Sequence, residues 1–127
     1  MKNITEIFDG VAYEIPLPDG DLIYTTIIHS ARKKLKLTCN AYCVADTIYH
    51  LSNNPSNKYG GWCYASKERI GEILDLSKQT VHKLINLLIT EGLIEKHRQT
   101  RHLRTTKKWY LTVMVRRAQI VKKIDSS

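Results

Sequence analysis

The sequence predicts a mainly α-helical domain carrying one small antiparallel β-sheet, and three observations support this reading. Two amphipathic helical patterns adjoin across a short break within residues 65–92, a β-hairpin pattern follows at once, and the tip of that hairpin is cationic.

In the first pattern Ser66 is placed to cap a helix, its hydroxyl accepting from an orphan amide of the opening turn. Ile70, Ile73 and Leu74 then recur at helical spacing. Asp75, Leu76 and Ser77 break it, and Ser77 is placed to cap a second helix whose apolar stripe is Val81, Leu84, Ile85 and Leu88. The opposite face of that helix carries Lys78, Gln79, His82, Lys83 and Asn86, long or polar side chains that suit phosphates and base edges. Gly92 follows Glu91 where a helix end takes a left-handed residue. Such a pair is a helix-turn-helix, its second helix suited to a major groove. Any amphipathic helix has a polar outer face, so the weight rests on what comes next.

Residues 93–97 read as a strand and 109–113 as its hairpin partner. Between them, residues 98–108 include Arg98, Arg101, Arg104, Lys107 and Lys108 with no acid. A hairpin with a cationic tip directly after a recognition helix is a wing. In these residues, Ser-Lys-Gln-Thr-Val-His-Lys-Leu from Ser77 and Leu-Ile-Thr-Glu-Gly-Leu-Ile-Glu-Lys from Leu88, the chain resembles bacterial winged helix-turn-helix domains. It is most similar to the kind at the front of phage and plasmid replication initiators and replisome organisers. The resemblance covers residues 37–113. It implies double-stranded DNA as partner, a role in starting replication of a phage, plasmid or other mobile element, and contact with replication machinery such as a helicase or its loader. Two alternatives stay open: a homodimeric transcriptional regulator with the same domain, and a protein-interaction winged helix that binds no DNA.

On the DNA-binding reading, Ser77, Lys78, Gln79, Thr80, His82, Lys83 and Asn86 form the recognition helix surface, with Thr80 near the backbone. Gln79 and Asn86 suit adenine edges, while Lys78 and Lys83 reach guanine or phosphate. Arg98, Arg101, His102, Arg104, Lys107 and Lys108 are assigned to the wing, where they would follow the backbone or dip into the minor groove, and His97 is placed to join them.

The remaining segments frame this unit. Residues 1–36 are expected to form an N-terminal arm and extended segment, punctuated by Gly10, Pro16, Pro18 and Gly20, with a short edge strand over 11–15 and a basic loop at Arg32, Lys33, Lys34 and Lys36. Thr38 is placed to cap a helix running to residue 51 or 52, with Ala41, Val44, Ala45, Ile48 and Leu51 as its core stripe. Tyr42 and Tyr49 mark a second flank, open to the N-terminal arm or a partner chain, with packing in the chain's own core the favoured reading. Residues 52–61 are dense in turn formers, and Trp62, Cys63 and Tyr64 suit a small strand beside the wing. The winged domain is expected over 37–113 and a basic tail, either strand or short helix, over 114–127.

Composition sets the outer bounds. A chain of 127 residues with 43% hydrophobic and 25% charged residues is long and apolar enough for one ordered core. Its net charge of +8 favours a polyanionic partner, and the charge is uneven: residues 96–123 hold no acid, whereas residues 1–30 hold Glu6, Asp9, Glu14, Asp19 and Asp21 against Lys2 alone. No apolar run nears the ~20 residues of a membrane span, and the start lacks a signal-peptide pattern, so a cytoplasmic protein of a bacterial cell or phage-infected host is expected. Cys39, Cys43 and Cys63 are read as small, reduced, buried thiols, because neither a C-x₂-C pair nor the usual His spacing for a metal is present. No glycine-rich phosphate loop, G-x-S-x-G or H-E-x-x-H occurs, and no enzyme, metal or cofactor is expected.

Overall fold

The computed structural model describes residues 3–16, 25–53, 57 and 60–125. It opens with a hairpin in which β1 (Asn3–Phe8) pairs antiparallel with β2 (Val11–Pro16), from Asn3↔Pro16 to Phe8↔Val11. Asp9 and Gly10 turn it, both at positive φ, as the tight turns that match strand twist require. The edge strand expected over 11–15 is thus present as β2, and the segment expected to be an arm begins as a regular hairpin. The basic run expected as a loop is also regular: α1 (His29–Lys34) takes up Arg32, Lys33 and Lys34, is anchored by buried Ala31, and has the Arg32 guanidinium donating to the Leu37 carbonyl at 2.9 Å.

The long central helix, α2 (Cys39–Ser52), starts where Thr38 Oγ1 accepts from the Ala41 amide at 3.1 Å. Ala41, Val44, Ala45 and Ile48 are fully buried, with Leu51 half-buried at the edge of the core. Of the two flank tyrosines, Tyr42 packs in this chain's own core and Tyr49 lies half-buried against it. Tyr42 is buried, its ring centroid 5.1 Å from that of Trp109, and its hydroxyl donates to the Thr26 carbonyl.

Helices α3 (Lys67–Leu74) and α4 (Lys78–Thr90) are capped by Ser66 and Ser77, which accept from the Arg69 and Thr80 amides at 3.1 Å each. Asp75 turns the chain between them in the left-handed conformation, and the Leu76 amide donates to the Gly71 carbonyl at 2.9 Å. Val81, Ile85 and Leu88 are buried and Leu84 half-buried, as the helical stripe requires. Gly92, at φ 72°, ends the helix and sends the chain into the sheet.

The sheet corrects the expected wing. β3 (Ile94–Lys96) pairs antiparallel with β4 (Leu103–Thr105), not with residues 109–113, so the tip spans only residues 97–102. Cys63 joins beside Leu103 through two backbone hydrogen bonds of 2.6 and 3.0 Å, the small flanking strand reduced to one bridge. From Lys107 the chain is helical: α5 (Lys107–Trp109), a π-helical turn (Tyr110–Met114) and α6 (Val115–Asp125) follow without a break. A strand would place residues 109, 111 and 113 on one face. Instead Trp109 and Val113 are buried while Leu111 is 54% exposed, which is helical spacing. The expected basic tail is therefore helical as far as Asp125.

The result is a mainly α-helical fold with a small antiparallel wing sheet. Its core lies among α2, α4 and the wing strands, and Trp109 closes it from the C-terminal side.

Candidate nucleic-acid interface

The outward face of α4 is held at its start by Ser77, which accepts from the Thr80 amide and also donates to Thr80 Oγ1 at 2.9 Å. From there Lys78, Gln79, His82, Lys83 and Asn86 are all exposed, while the Val81–Ile85–Leu88 seam pins the opposite face to the core. Gln79 and Lys83 have no side-chain partner among the described residues, whereas the other three are tied to neighbours. Lys67, the first residue of α3, lies 2.7 Å from His82 Nδ1, and His82 Nε2 lies 3.2 Å from the Asn86 amide nitrogen. Lys78 Nζ lies 2.8 Å from Glu68. That contact, through a side-chain hydrogen bond from Lys78 first of all, holds the Glu68 carboxyl below the usual carboxylate range.

The wing tip is organised by His97. Its Nδ1 accepts from the Gln99 and Thr100 amides at 3.1 and 3.2 Å, and its ring meets Trp62 edge-on with centroids 4.9 Å apart. The His97 amide donates to the His102 carbonyl at 2.8 Å and Arg101 turns through φ 64°, closing the tip. His97 is therefore part of the scaffold, and the side chains it presents are Arg98, Arg101 and His102.

These surfaces meet. A cleft of about 560 Å³ is lined by Lys67 and Glu68 from α3, by Lys78, His82 and Asn86 from α4, and by Lys96, Arg101 and His102 from the wing. Cys63 also lines it, buried, and that burial pushes the pKa of its thiol up.

Three residues expected in the wing tip lie outside it: Arg104 stays in the wing but on β4, and Lys107 and Lys108 lie in α5. Arg104 pairs with Glu95 directly across the sheet and stacks over Trp62, its guanidinium carbon 4.1 Å from the ring centroid. With Lys107 it lines a separate hollow beside Tyr49 and Tyr110. Lys108 donates to the Glu91 carbonyl at the end of α4, at 2.9 Å, and lies near Lys34 and Lys36 of the α1 side. Only a second strand at 109–113 would carry all three into the tip. Conversely, sequence reasoning misses Lys67, Glu68 and Lys96 as site residues. Each is polar at the end of its element and becomes part of the cleft only because α3, α4 and β3 converge there. Of the cysteines, Cys63 is buried but Cys39 is exposed and Cys43 half-buried, against the expectation of three buried thiols.

Two capped helices at a tight turn, a hairpin directly after the second and a cleft between the two define a winged helix-turn-helix domain. Residues 44–105, from the middle of α2 to the end of β4, match the model of the MarR family. No curated protein and no solved structure matches the chain. The family match carries no link to replication initiators, the relatives that sequence resemblance suggested. Among the described residues, no helix is long and apolar enough to cross a membrane, and no cluster of three or more His, Cys, Asp or Glu side chains is arranged to hold a metal ion.

Proposed function

We propose that the protein binds double-stranded DNA through α4 and the wing and acts as a transcriptional regulator. The observation that carries this reading is the shared cleft: the exposed face of α4 and the tip residues Arg101 and His102 turn toward the same space. Gln79, Lys83 and Asn86 would read base edges in a major groove, with Ser77 and Thr80 at the helix start beside a phosphate. Arg98, Arg101, Lys67 and Lys96 would contact the sugar–phosphate backbone and set the register. The regulatory role is favoured over replication initiation because the MarR family match supports it, while initiation rests on resemblance in a few residues. As a homodimer the protein would place two copies of α4 about one helical turn of DNA apart, roughly 34–36 Å.

Affinity for a mixed-sequence duplex at two salt concentrations tests the DNA step. A backbone-contacting protein loses affinity steeply with salt, by a slope of about 0.9 per phosphate neutralised. A flat dependence would leave the interaction-module reading in place. Selecting bound sequences from a random pool tests the process: single or paired sites in promoters support a regulator, and arrayed sites at an origin support an initiator.

A further inference from the structure

The cleft between α4 and the wing contains one carboxylate among its described lining residues. Glu68 stands there in the company of Lys67, Lys78, Lys96, Arg101 and His102. A duplex lying across the mouth of the cleft would bring phosphates toward a negative charge, which opposes binding. Glu68 is also paired, its oxygen 2.8 Å from Lys78 Nζ, with the two side chains 55% and 58% exposed. Exposed ion pairs add little to stability, so the pair is not there to hold the fold. The first turn of α3 does favour an acid through the helix dipole. That accounts for a carboxylate at this position but not for its reach across the turn to the first residue of α4.

We propose that Glu68 is a specificity-determining residue of the DNA surface: it holds Lys78 in a pair that a duplex must break, so Lys78 is released only where its new interactions with DNA outweigh that pair. On mixed sequence, Lys78 exchanges one anion for another while Glu68 is left facing phosphate, and the exchange yields little. On the preferred site, base-edge hydrogen bonds along α4 drive the same exchange forward. The inference rests on the DNA-binding reading given above.

The test uses the full chain with Glu68→Gln, Lys78→Ala and the double variant, against a mixed-sequence 20-base-pair duplex and a duplex recovered by selection, at two salt concentrations. Glu68→Gln is expected to raise affinity for the mixed duplex about two- to fivefold and to steepen the salt slope by about one unit, with a smaller rise on the selected duplex. The ratio between the two affinities then falls. In the Lys78→Ala background the rise should shrink, because no cation remains to be released. Thermal unfolding of each variant close to that of the parent confirms that folding is intact. An unchanged affinity for the mixed duplex overturns the proposal, as does an equal rise without Lys78, which would mean simple repulsion. A loss confined to the selected duplex also overturns it, since Glu68 would then be reading a base. If the parent and every variant show no salt-dependent DNA binding, the DNA reading itself fails, an outcome distinct from all of these.

Discussion

Gly71→Ala sets two physical effects against each other at the helix-turn-helix. In an ordinary helix interior this change stabilises by roughly 0.5–1 kcal/mol, because glycine loses the most backbone freedom on folding. Gly71 lies in α3 at ordinary helical angles, so that stabilisation is available. Yet a Cβ there would come closer than 3.0 Å to the Leu76 carbonyl oxygen, a backbone atom that cannot swing aside. The Leu76 amide is itself bonded to the Gly71 carbonyl at 2.9 Å, so moving the turn strains that bond too. Overpacking of this kind costs about 1–3 kcal/mol, and a weakened hydrogen bond about 0.5–1.5 more. The clash wins, and we expect a net loss of about 0.5–4 kcal/mol, read as a Tm lowered by roughly 2–16 °C. Because the same turn sets the angle at which α3 presents Lys67 and Glu68 to α4, DNA affinity should fall further than stability alone explains. Differential scanning fluorimetry paired with duplex titration measures both. An unchanged or raised Tm would refute the reasoning, since the turn would then have room that the Leu76 carbonyl denies it.

Other expectations follow from the same geometry. Trp109→Ala removes the largest fully buried side chain and should cost about 3–5 kcal/mol, whereas Leu111→Lys, two residues on but exposed, should leave the Tm nearly unchanged; equal damage from both would favour a strand. Arg101→Ala should lower the salt slope of duplex binding by about one unit, while Arg104→Ala, engaged with Glu95 and Trp62, should leave that slope alone. Burial raises the Tyr42 phenol above its ordinary value of 10.0, so its contribution to stability is complete below that pH and lost as pH climbs through the folded-state value. Tyr42→Phe should therefore be less stable at neutral pH, having lost the bonds to Thr26 and Ile28, yet show a flatter alkaline decline in denaturant titrations.

The helix-turn-helix is legible because its determinants are local. Ser66 and Ser77 cap, the stripes have helical period, and Gly92 stops α4, all within hydrogen-bond reach of their own neighbours. The N-terminal hairpin is legible in principle too, since Asp9-Gly10 between apolar residues is a strong turn signal. The prolines and Gly20 that follow it point instead to an irregular arm and mask it. The wing is different. Trp109, Tyr110, Leu111 and Val113 have the composition of a strand, and the true partner residue, Leu103, is a single apolar position within a cationic run. Strands of three residues display no readable period. Their register is set from a distance: by Cys63, far earlier in the chain, bonding the Leu103 backbone, and by Thr106, whose hydroxyl donates to the Gly92 carbonyl and whose amide donates to Leu93.

That register decides which charges form a surface, and a linear count of cations cannot. Moving the strand to 103–105 turns Arg104 onto Trp62 and carries Lys107 and Lys108 into a helix on other faces, while Lys96 moves up beside Arg101. The tip loses three of its expected contributors, and the cleft takes in Lys67 and Lys96 from elements whose sequence reads as scaffold. The Leu93 amide donates to Leu88 in α4 and the Thr106 amide donates to Leu93, so backbone bonds tie the end of that helix to the residues flanking both wing strands. Since Leu88 and Leu93 are themselves fully buried, the angle between α4 and the wing is a property of the core. Changes that loosen that core should therefore blunt discrimination between DNA sequences before they abolish binding, because base readout needs the angle held and backbone attraction does not.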